Sequence, residues 1–444
     1  MPDGIQAIPR APGGVPLLGH AWPLWRDPYG LLERLEETGP LVRLDLGRMP
    51  VVVVTDTDLL HEVLVSKARY FAKGRIFEKM GPLVGAGLAT IEGPVHRQRR
   101  RLVQPAFHKE RLAQYGEVMA ARARALRDAW EPGRRLAVEQ EMGKYAIATL
   151  AETMFSSSRM QQEAVSAVRR DVPIILDTVL ASTVAPPALD RLLPANRRFL
   201  AAARRLRAVI DEVISDRRDG DQEGTDLLSM LLEARDADTG EVLSDDEVRD
   251  ELATMLFAGT ETTASTFTWL FHELAHNPEA EQRVIDELRA VIGERTPTFA
   301  DIPNLPVMRQ TLDETIRLHG VTLMMRRVRE PVSLGGADLE PGTEIAYSPY
   351  ALHRSGREYE DPHRFDPTRF ALDGGRDRRV FTPFGAGARK CIGDAYSWAE
   401  ITLTMATLLP RWRLEPVPGH VVRPAIAAMA RPDSLPMTVQ PRKG

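Results

Sequence analysis

The chain of 444 residues lacks most features that would assign a protein to a class at once. Its one cysteine, Cys391, can form no intrachain disulfide and cannot share a zinc site with other thiolates. No stretch approaches the roughly 18 consecutive apolar residues of a membrane span. The formal net charge of −4 is too small to suggest nucleic-acid binding. These absences predict a large globular protein, and a single cysteine fits a reducing compartment.

The first 29 residues contain six prolines and no charged-then-apolar signal pattern. We interpret residues 1–29 as an extended, proline-rich arm laid on the rest of the protein. Neither a repeat nor a low-complexity linker follows in the sequence. Residues 1–444 are predicted to form a single domain, because strand-like sequence from distant segments would join in one β region.

Strand-like sequence is found near both ends of a chain that is otherwise helical in pattern. Apolar and polar residues alternate over 42–46, and 51–55 is a β-branched run, so the two segments predict a hairpin. Glycine- and proline-rich strand signals return at 332–349 and after Trp412. The predicted fold class is mainly α, with a small β region drawn from both ends.

The segment 244–276 predicts one long helix. Ser244 and Glu247 have the spacing of a capping box, and Asn277-Pro278 ends the run. At about 1.5 Å per residue, this helix is roughly 48 Å long and crosses a whole domain. Its centre, 257–263, contains one glycine and three threonines, which weaken a helix interior. Either another helix crosses closely there, or a distorted turn holds water or oxygen.

Cys391 lies in a glycine-rich segment, 384–393, that reads Phe-Gly-Ala-Gly-Ala-Arg-Lys-Cys-Ile-Gly. The glycines allow positive φ or close approach of a flat ligand, and Arg389 and Lys390 favour a thiolate. The apolar segment 396–409 follows and predicts a buried helix. A thiolate in such surroundings is a good axial ligand for haem iron. The alternative is a buried, inert cysteine.

This segment resembles the haem-binding signature of the cytochrome P450 family, Phe-x-x-Gly-x-Arg-x-Cys-x-Gly, at every fixed position. The resemblance implies a cytochrome P450 fold with haem b held between the long central helix and the cysteine loop. It makes Cys391 the iron ligand, with Phe384, Gly385 and Gly393 beside the cofactor.

The centre of the long helix resembles the oxygen-activation motif of the same family, Ala-Gly-x-Asp/Glu-Thr. Carried over to this chain, Ala258 and Gly259 would make space above the cofactor. Thr262 would hydrogen-bond the oxygen under activation, and Glu261 would help to relay protons.

A third motif, Glu-x-x-Arg, is formed by Glu314 and Arg317, which share one helix face. By itself it most often means a surface ion pair worth about 0–1 kcal/mol. In the family, the pair is joined by an arginine of a Pro-x-Arg-Phe segment, which Arg369 matches. The resemblance gives these three residues a structural role on the cysteine side of haem.

Haem propionates require cations, and the resemblance supplies four candidates. His96 and Arg100 match a His-x-x-x-Arg pair, Arg326 matches a strand arginine with Arg327 as a competing choice, and Arg389 precedes the cysteine. The residues 97–101 also read as a solvated basic helix face. Both readings can hold, and the cluster predicts a docking patch for an acidic redox protein.

The resemblance implies a haem-thiolate monooxygenase that uses O₂, two electrons and two protons. No electron-transfer domain is fused, so we expect a separate ferredoxin and ferredoxin reductase. Most eukaryotic members carry an N-terminal membrane anchor, and its absence here predicts a bacterial-type, cytoplasmic protein.

The substrate is expected to be a small apolar molecule. By family analogy, mostly aliphatic, small and methionine residues line the pocket, and Arg75 is the one possible carboxylate anchor. The segments concerned are 75–88, 174–184, 253–262, 321–325 and 426–430.

The stretches 16–20, 194–199 and 347–351 resemble actinobacterial terpene-pathway oxidases, which favours a terpene of secondary metabolism. A fatty acid or polyketide is the main alternative; a peroxide-using enzyme and a non-catalytic haem protein are the others.

Overall fold

The computed structural model describes residues 4–184, 194–219, 226–236, 239–371, 379–425 and 427–442. Helices make up most of this part of the chain. They are α1 (Ala21–Arg26), α2 (Pro28–Arg34), α3 (Thr57–His61), α4 (Arg75–Val84), α5 (Gly93–Val103), α6 (Lys109–Ala129), α7 (Val138–Met154), α8 (Ser158–Val184), α9 (Pro194–Asp219), α10 (Leu227–Glu233), α11 (Asp245–His276), α12 (Pro278–Val291), α13 (Pro306–His319), α14 (Pro349–Leu352) and α15 (Asp394–Leu408).

The long helix α11 is confirmed, together with its capping box. The Ser244 hydroxyl accepts the Glu247 N–H, and the Glu247 carboxylate accepts the Ser244 N–H at 2.9 Å. Most threonines of α11 donate to carbonyls one turn earlier, as Thr260 does to Leu256 at 3.0 Å. The helix nevertheless continues without interruption to His276.

Two hydrophobic clusters pack against α11, one along each half of the helix. Its first half, including Leu252 and Leu256, packs with α8 and α9. Its second half, including Phe267 and Leu270, packs with α12, α13 and α15. Because both halves are buried, α11 forms the axis around which the other helices pack.

The strands confirm a small β region that joins the two ends of the chain. In the larger sheet of the described residues, the hairpin of β1 (Leu41–Leu46) and β2 (Met49–Val54) lies beside β8 (Glu344–Tyr347), then β5 (Met324–Val328), then β3 (Phe71–Lys73). Of these strand pairings, only β2–β8 is parallel. A second sheet has the order β4-β12-β9. The strands are β1 (Leu41–Leu46), β2 (Met49–Val54), β3 (Phe71–Lys73), β4 (Arg135–Ala137), β5 (Met324–Val328), β6 (Val332–Leu334), β7 (Ala337–Leu339), β8 (Glu344–Tyr347), β9 (Trp412–Pro416), β10 (Pro424–Ala425), β11 (Arg431–Pro432) and β12 (Pro436–Pro441).

The arm is only partly extended. It contains α1, and the turn into α2 is formed by Asp27, whose carboxylate accepts the Gly30 N–H at 3.0 Å. Pro28 occupies the first position of α2, where its missing N–H costs nothing. His20 is fully buried and bonds the Ala11 carbonyl and the Asp45 N–H, so the arm is fixed against β1. In the described part of the chain, no helix has the length and apolar character needed to span a membrane.

Candidate functional site

The cysteine loop has the backbone that the glycines predict. Gly385 and Gly387 have φ values of +70° and +67°. A Cβ at Gly387 would collide with the Leu64 carbonyl oxygen, so this position requires glycine. The Cys391 N–H donates to the Phe384 carbonyl at 2.9 Å, which closes the loop. The Phe384 ring packs edge-on against Trp398 of α15 at 5.4 Å.

Cys391 is exposed, although protein surrounds it on its other sides. This desolvation raises the pKa of its thiol, and a hydrogen bond from the Gly393 backbone opposes the rise. Sequence alone predicted the opposite direction, from Arg389 and Lys390. Lys390 does lower the pKa of the thiol, as the sequence suggested, but burial outweighs this effect and Asp394 opposes it. A metal ion on the sulfur would itself stabilise the thiolate.

The four residues predicted from sequence to bind the haem propionates lie close together. A fifth basic residue, which belongs to no sequence motif, lies with them. His96 is buried on α5, and Arg100 donates to the Lys390 carbonyl at 2.7 Å. Burial, together with the positive charges of Lys73, Arg389 and Arg100, lowers the pKa of His96 to about 4. We call this group the cation cluster, which consists of Lys73, His96, Arg100, Arg326 and Arg389.

Lys73 could not be found from the sequence, because a lone lysine in a short strand carries no signal. Burial, opposed by Glu92 and assisted by Arg389 and Arg326, lowers its pKa to about 7. Its ammonium donates to the carbonyls of Leu88 and Ile91 at 2.7 and 2.8 Å. Lys73 is therefore an integral member of the cation cluster.

The two candidate strand arginines differ in their partners. Arg327 contacts the carboxylates of both Glu78 and Glu344, which raise its pKa. Arg326 is buried, and its guanidinium donates to its neighbour's carbonyl, that of Met325, at 2.9 Å. Among the described residues, Glu92 is the one carboxylate hydrogen-bonded to a side chain of the cation cluster. The cation cluster thus keeps an excess of positive charge, which could be balanced by two further carboxylates such as the haem propionates.

The α11 motif is divided between two faces of the helix. Ala258 is exposed although most of α11 is buried, and Thr262 lies one turn later with its hydroxyl donating to the Ala258 carbonyl at 2.7 Å. Gly259 points elsewhere: a Cβ there would meet Leu150 of α7 at 2.9 Å. The missing side chain of Gly259 therefore allows α7 to cross α11, and its role in making space above the cofactor stays a prediction.

Glu261 is half-buried, and its charge acts on Tyr29 of the arm. The pKa of Tyr29 is raised to about 12, chiefly by burial, and Glu261 adds to the rise. The Tyr29 hydroxyl donates to the Ala425 carbonyl at 2.8 Å. Glu261 thus faces a polar group from the arm, a relation that no motif predicts.

Glu314, Arg317 and Arg369 form one cluster, in which Arg369 is only partly buried. The Arg317 guanidinium meets Glu314 through two bonds, at 2.6 and 2.9 Å, and both side chains are fully buried. Arg369 Nε lies 3.4 Å from the same carboxylate. Arg317 also donates to the carbonyls of His353 and Pro362, each at 2.7 Å. The cluster therefore holds together a long irregular segment that precedes the cysteine loop.

These features fit haem: an exposed thiol in a glycine loop, an excess of cations for two propionates, and an exposed Ala258 on a helix that is otherwise mostly buried. A family model described as Cytochrome P450 matches residues 9–438. The chain belongs to the cytochrome P450 family. Like other cytochromes P450, it is an oxidoreductase that uses haem b, O₂ and electrons from redox partners.

Three bacterial cytochromes P450 are similar over almost their whole length. A cyclooctat-9-en-7-ol 5-monooxygenase of Streptomyces melanosporofaciens is 40% identical, covering 99% of this chain and 97% of its own. A cyclooctatin synthase of the same organism is 39% identical, covering 97% and 95%. A pentalenene oxygenase of Streptomyces avermitilis is 35% identical, covering 97% of each chain.

Proposed function

We propose that this cytochrome P450 inserts one oxygen atom into a C–H bond of a terpene. The observation that carries the proposal is the similarity, over at least 95% of each chain, to enzymes named for cyclooctatin and pentalenene. A terpene is the substrate class common to those names. The enzyme would therefore belong to secondary metabolism and would act on a preformed hydrocarbon skeleton.

The side chains of the expected pocket segments support an apolar substrate. Several are apolar and only half-buried, as expected for groups that face an internal space: Ile76, Met80, Ile174, Met255, Leu323 and Met324. Arg75, the one predicted exception, donates through Nε to the Thr183 carbonyl at 2.9 Å. Because this guanidinium is held by the main chain, it is a poor anchor for a fatty-acid carboxylate. Residue 426, in the last of these segments, lies outside the described residues.

Haem, when bound, supplies the oxygen activation and the C–H bond cleavage. Cys391 would hold the iron, and the cation cluster would hold the propionates. Thr262 would turn its hydroxyl from the Ala258 carbonyl towards the reacting face and hold a proton there. Glu261 would resupply that proton, and the cluster of Glu314, Arg317 and Arg369 would keep the cysteine loop in position.

Electrons would come from a separate ferredoxin, reduced by a ferredoxin reductase. Arg97 and Arg101 are exposed on the helix that carries His96, so an acidic partner could approach the cysteine side of the enzyme there. Electrostatic steering of this kind weakens as salt is added. Electron transfer that slows with ionic strength would therefore support this docking face.

A binding screen followed by turnover tests the proposal. Terpene hydrocarbons, fatty acids and macrolides are added to the ferric haem enzyme, and the shift of the haem absorption band is measured. We expect terpenes to give the shift and, with ferredoxin, reductase and NAD(P)H, a product that is heavier by one oxygen atom. Tight fatty-acid binding with no terpene response would contradict the substrate class.

A further inference from the structure

The arm exposes four large apolar side chains close together. The accessible fractions are 95% for Leu17, 47% for Leu18, 44% for Trp22 and 66% for Trp25. The two indole rings lie 5.2 Å apart. We call these four residues the arm patch. Single exposed apolar residues are ordinary, but adjacent tryptophans and leucines mark a surface that is covered in use.

The fold holds these side chains outward. On the six-residue helix α1, Ala21 and Leu24 pack against the hydrophobic core, while Trp22 and Trp25 point away from it. Leu17 has φ +65°, a conformation that costs energy for a residue with a side chain. A tight turn maintains it, because the Val15 N–H bonds the Gly19 carbonyl and the Gly19 N–H bonds the Val15 carbonyl.

The rim of the arm patch is positively charged. Arg26 follows Trp25 on α1, and Arg48 lies in the hairpin turn whose Gly47 N–H bonds the Leu18 carbonyl at 3.0 Å. Both arginines are exposed, and neither has an ion-pair partner within the described residues. The nearby carboxylates are already engaged, since Asp27 pairs with Arg34 and Asp45 pairs with Arg10.

A small apolar cavity lies beneath α1. It lies between the inner side of the arm, the strands of the larger sheet and residues of the segments that are expected to line the substrate pocket. Its lining includes Leu24, Leu44, Leu46, Thr183, Leu323 and Met325. The arm patch therefore stands directly outside an apolar part of the molecule that leads towards the substrate-facing residues.

We propose that the arm patch docks this protein on an anionic lipid surface. Tryptophan and leucine with flanking arginines are the residues that bind the interface between headgroups and acyl chains. The four side chains present roughly 500 Å² of surface, which is less than the ~800 Å² per partner of a stable protein interface. A shallow, charged and apolar patch of this size matches a lipid surface better than a second copy of the chain.

Docking would place the cavity beneath α1 next to the lipid, where an apolar substrate accumulates. This link to substrate delivery rests on the proposed function, whereas lipid binding does not. The two are separable, because vesicle binding is measured without substrate or turnover.

The test uses the haem-loaded enzyme and cosedimentation with vesicles of phosphatidylcholine alone or mixed with phosphatidylglycerol. We expect wild type to bind the mixed vesicles and the double variant Trp22→Ser/Trp25→Ser to bind on the order of tenfold less. Arg26→Gln/Arg48→Gln should lower binding only to the mixed vesicles. Val421→Ser, which alters a residue that is 68% exposed elsewhere, serves as the control and should bind as wild type does.

Leu17→Gly provides a second test that spares the fold, because glycine suits the positive φ. It should also weaken vesicle binding. Wild type that stays in solution, or arm variants that bind as wild type does, would overturn the proposal. So would arm variants that change only the sedimentation coefficient, because the patch would then join two copies of the chain.

Discussion

The carboxylate of Glu314 and the guanidinium of Arg317 meet through two hydrogen bonds in a place where neither side chain touches solvent. A buried pair of this kind contributes little in net stability, but breaking it is costly. The carboxylate also accepts the Asp366 N–H at 2.8 Å, so it joins α13 to the segment that leads to the cysteine loop.

Replacing Glu314 with alanine should therefore destabilise the enzyme by about 3–5 kcal/mol, because Arg317 is left buried without its partner. Arg369→Ala should cost less, since that side chain is partly exposed and its Nη2 also donates to the Asp361 carbonyl. Chemical unfolding and haem content measure both effects. A stable, haem-loaded Glu314→Ala enzyme would contradict the structural role.

Cys391→Ser should abolish the strongly red-shifted absorption band that a reduced, CO-bound haem thiolate shows. The chain has no second cysteine that could replace the ligand. Ser397→Ala, a change on the following helix α15, is the matched control and should keep the band. If the Cys391 variant retains it, the ligand has been assigned wrongly.

Thr262→Ala should separate NAD(P)H consumption from product formation. Losing the hydroxyl removes a proton donor, which is worth on the order of tenfold or more in the step it serves. Product per NAD(P)H should fall and hydrogen peroxide should rise, while Thr262→Ser restores the ratio.

Thr260→Ala is the control for that variant. Thr260 lies on the same helix, but its hydroxyl is buried and bonds the Leu256 carbonyl. Its loss should leave the product ratio close to that of wild type. Equal ratios in wild type and Thr262→Ala would show that protons arrive by another route.

Gly259→Ala should destabilise the enzyme by roughly 1–3 kcal/mol, because the added methyl group overpacks the crossing of α7 and α11. Shortening its neighbour, as in Gly259→Ala/Leu150→Ala, should recover part of that loss. Unfolding by urea measures both variants alongside Leu150→Ala. If the Gly259→Ala enzyme had normal stability but an altered haem spectrum, Gly259 would have its role next to the cofactor and not at the helix crossing.

Acid should weaken the fold through His353. Burial, assisted by Arg317 and Arg354, lowers the pKa of His353 to about 3 from an ordinary 6.5. The unfolded chain therefore binds a proton at His353 more readily than the folded protein does. The free energy of unfolding is fully present above about pH 6.5 and decreases as the pH falls towards the pKa of His353 in the folded protein. The loss should reach a few kcal/mol, at about 1.4 kcal/mol per pH unit.

His353→Gln should flatten the dependence of unfolding free energy on pH between about 4 and 6.5. The amide can still accept the Thr382 N–H, which His353 Nε2 accepts at 3.2 Å. His363→Gln alters an exposed histidine nearby and should leave the slope unchanged. An unchanged slope in His353→Gln would mean that this group does not control the acid response.

Features that are local in sequence could be predicted, and contacts between distant segments could not. The Ser244 capping box and the Glu314–Arg317 pair each need only three residues of spacing. The partnership of Arg389 with Glu92 joins positions 297 residues apart, and Lys73 joins the same group through strand pairing. The place of Gly259 at a helix crossing could not be predicted, because a helix pattern shows small residues without showing which neighbour, here Leu150, they accommodate.

The parallel pairing of β2 with β8 also sets an order on biosynthesis. Val51 lies opposite Glu344, so the first hairpin leaves the ribosome long before the strand it must pair with exists. The cation cluster needs Arg326 from that late region as well, and Cys391 is made later still. The cofactor site therefore cannot be completed during synthesis of the first three hundred residues. All of the predicted haem-binding residues are present together only once Cys391 has been synthesised.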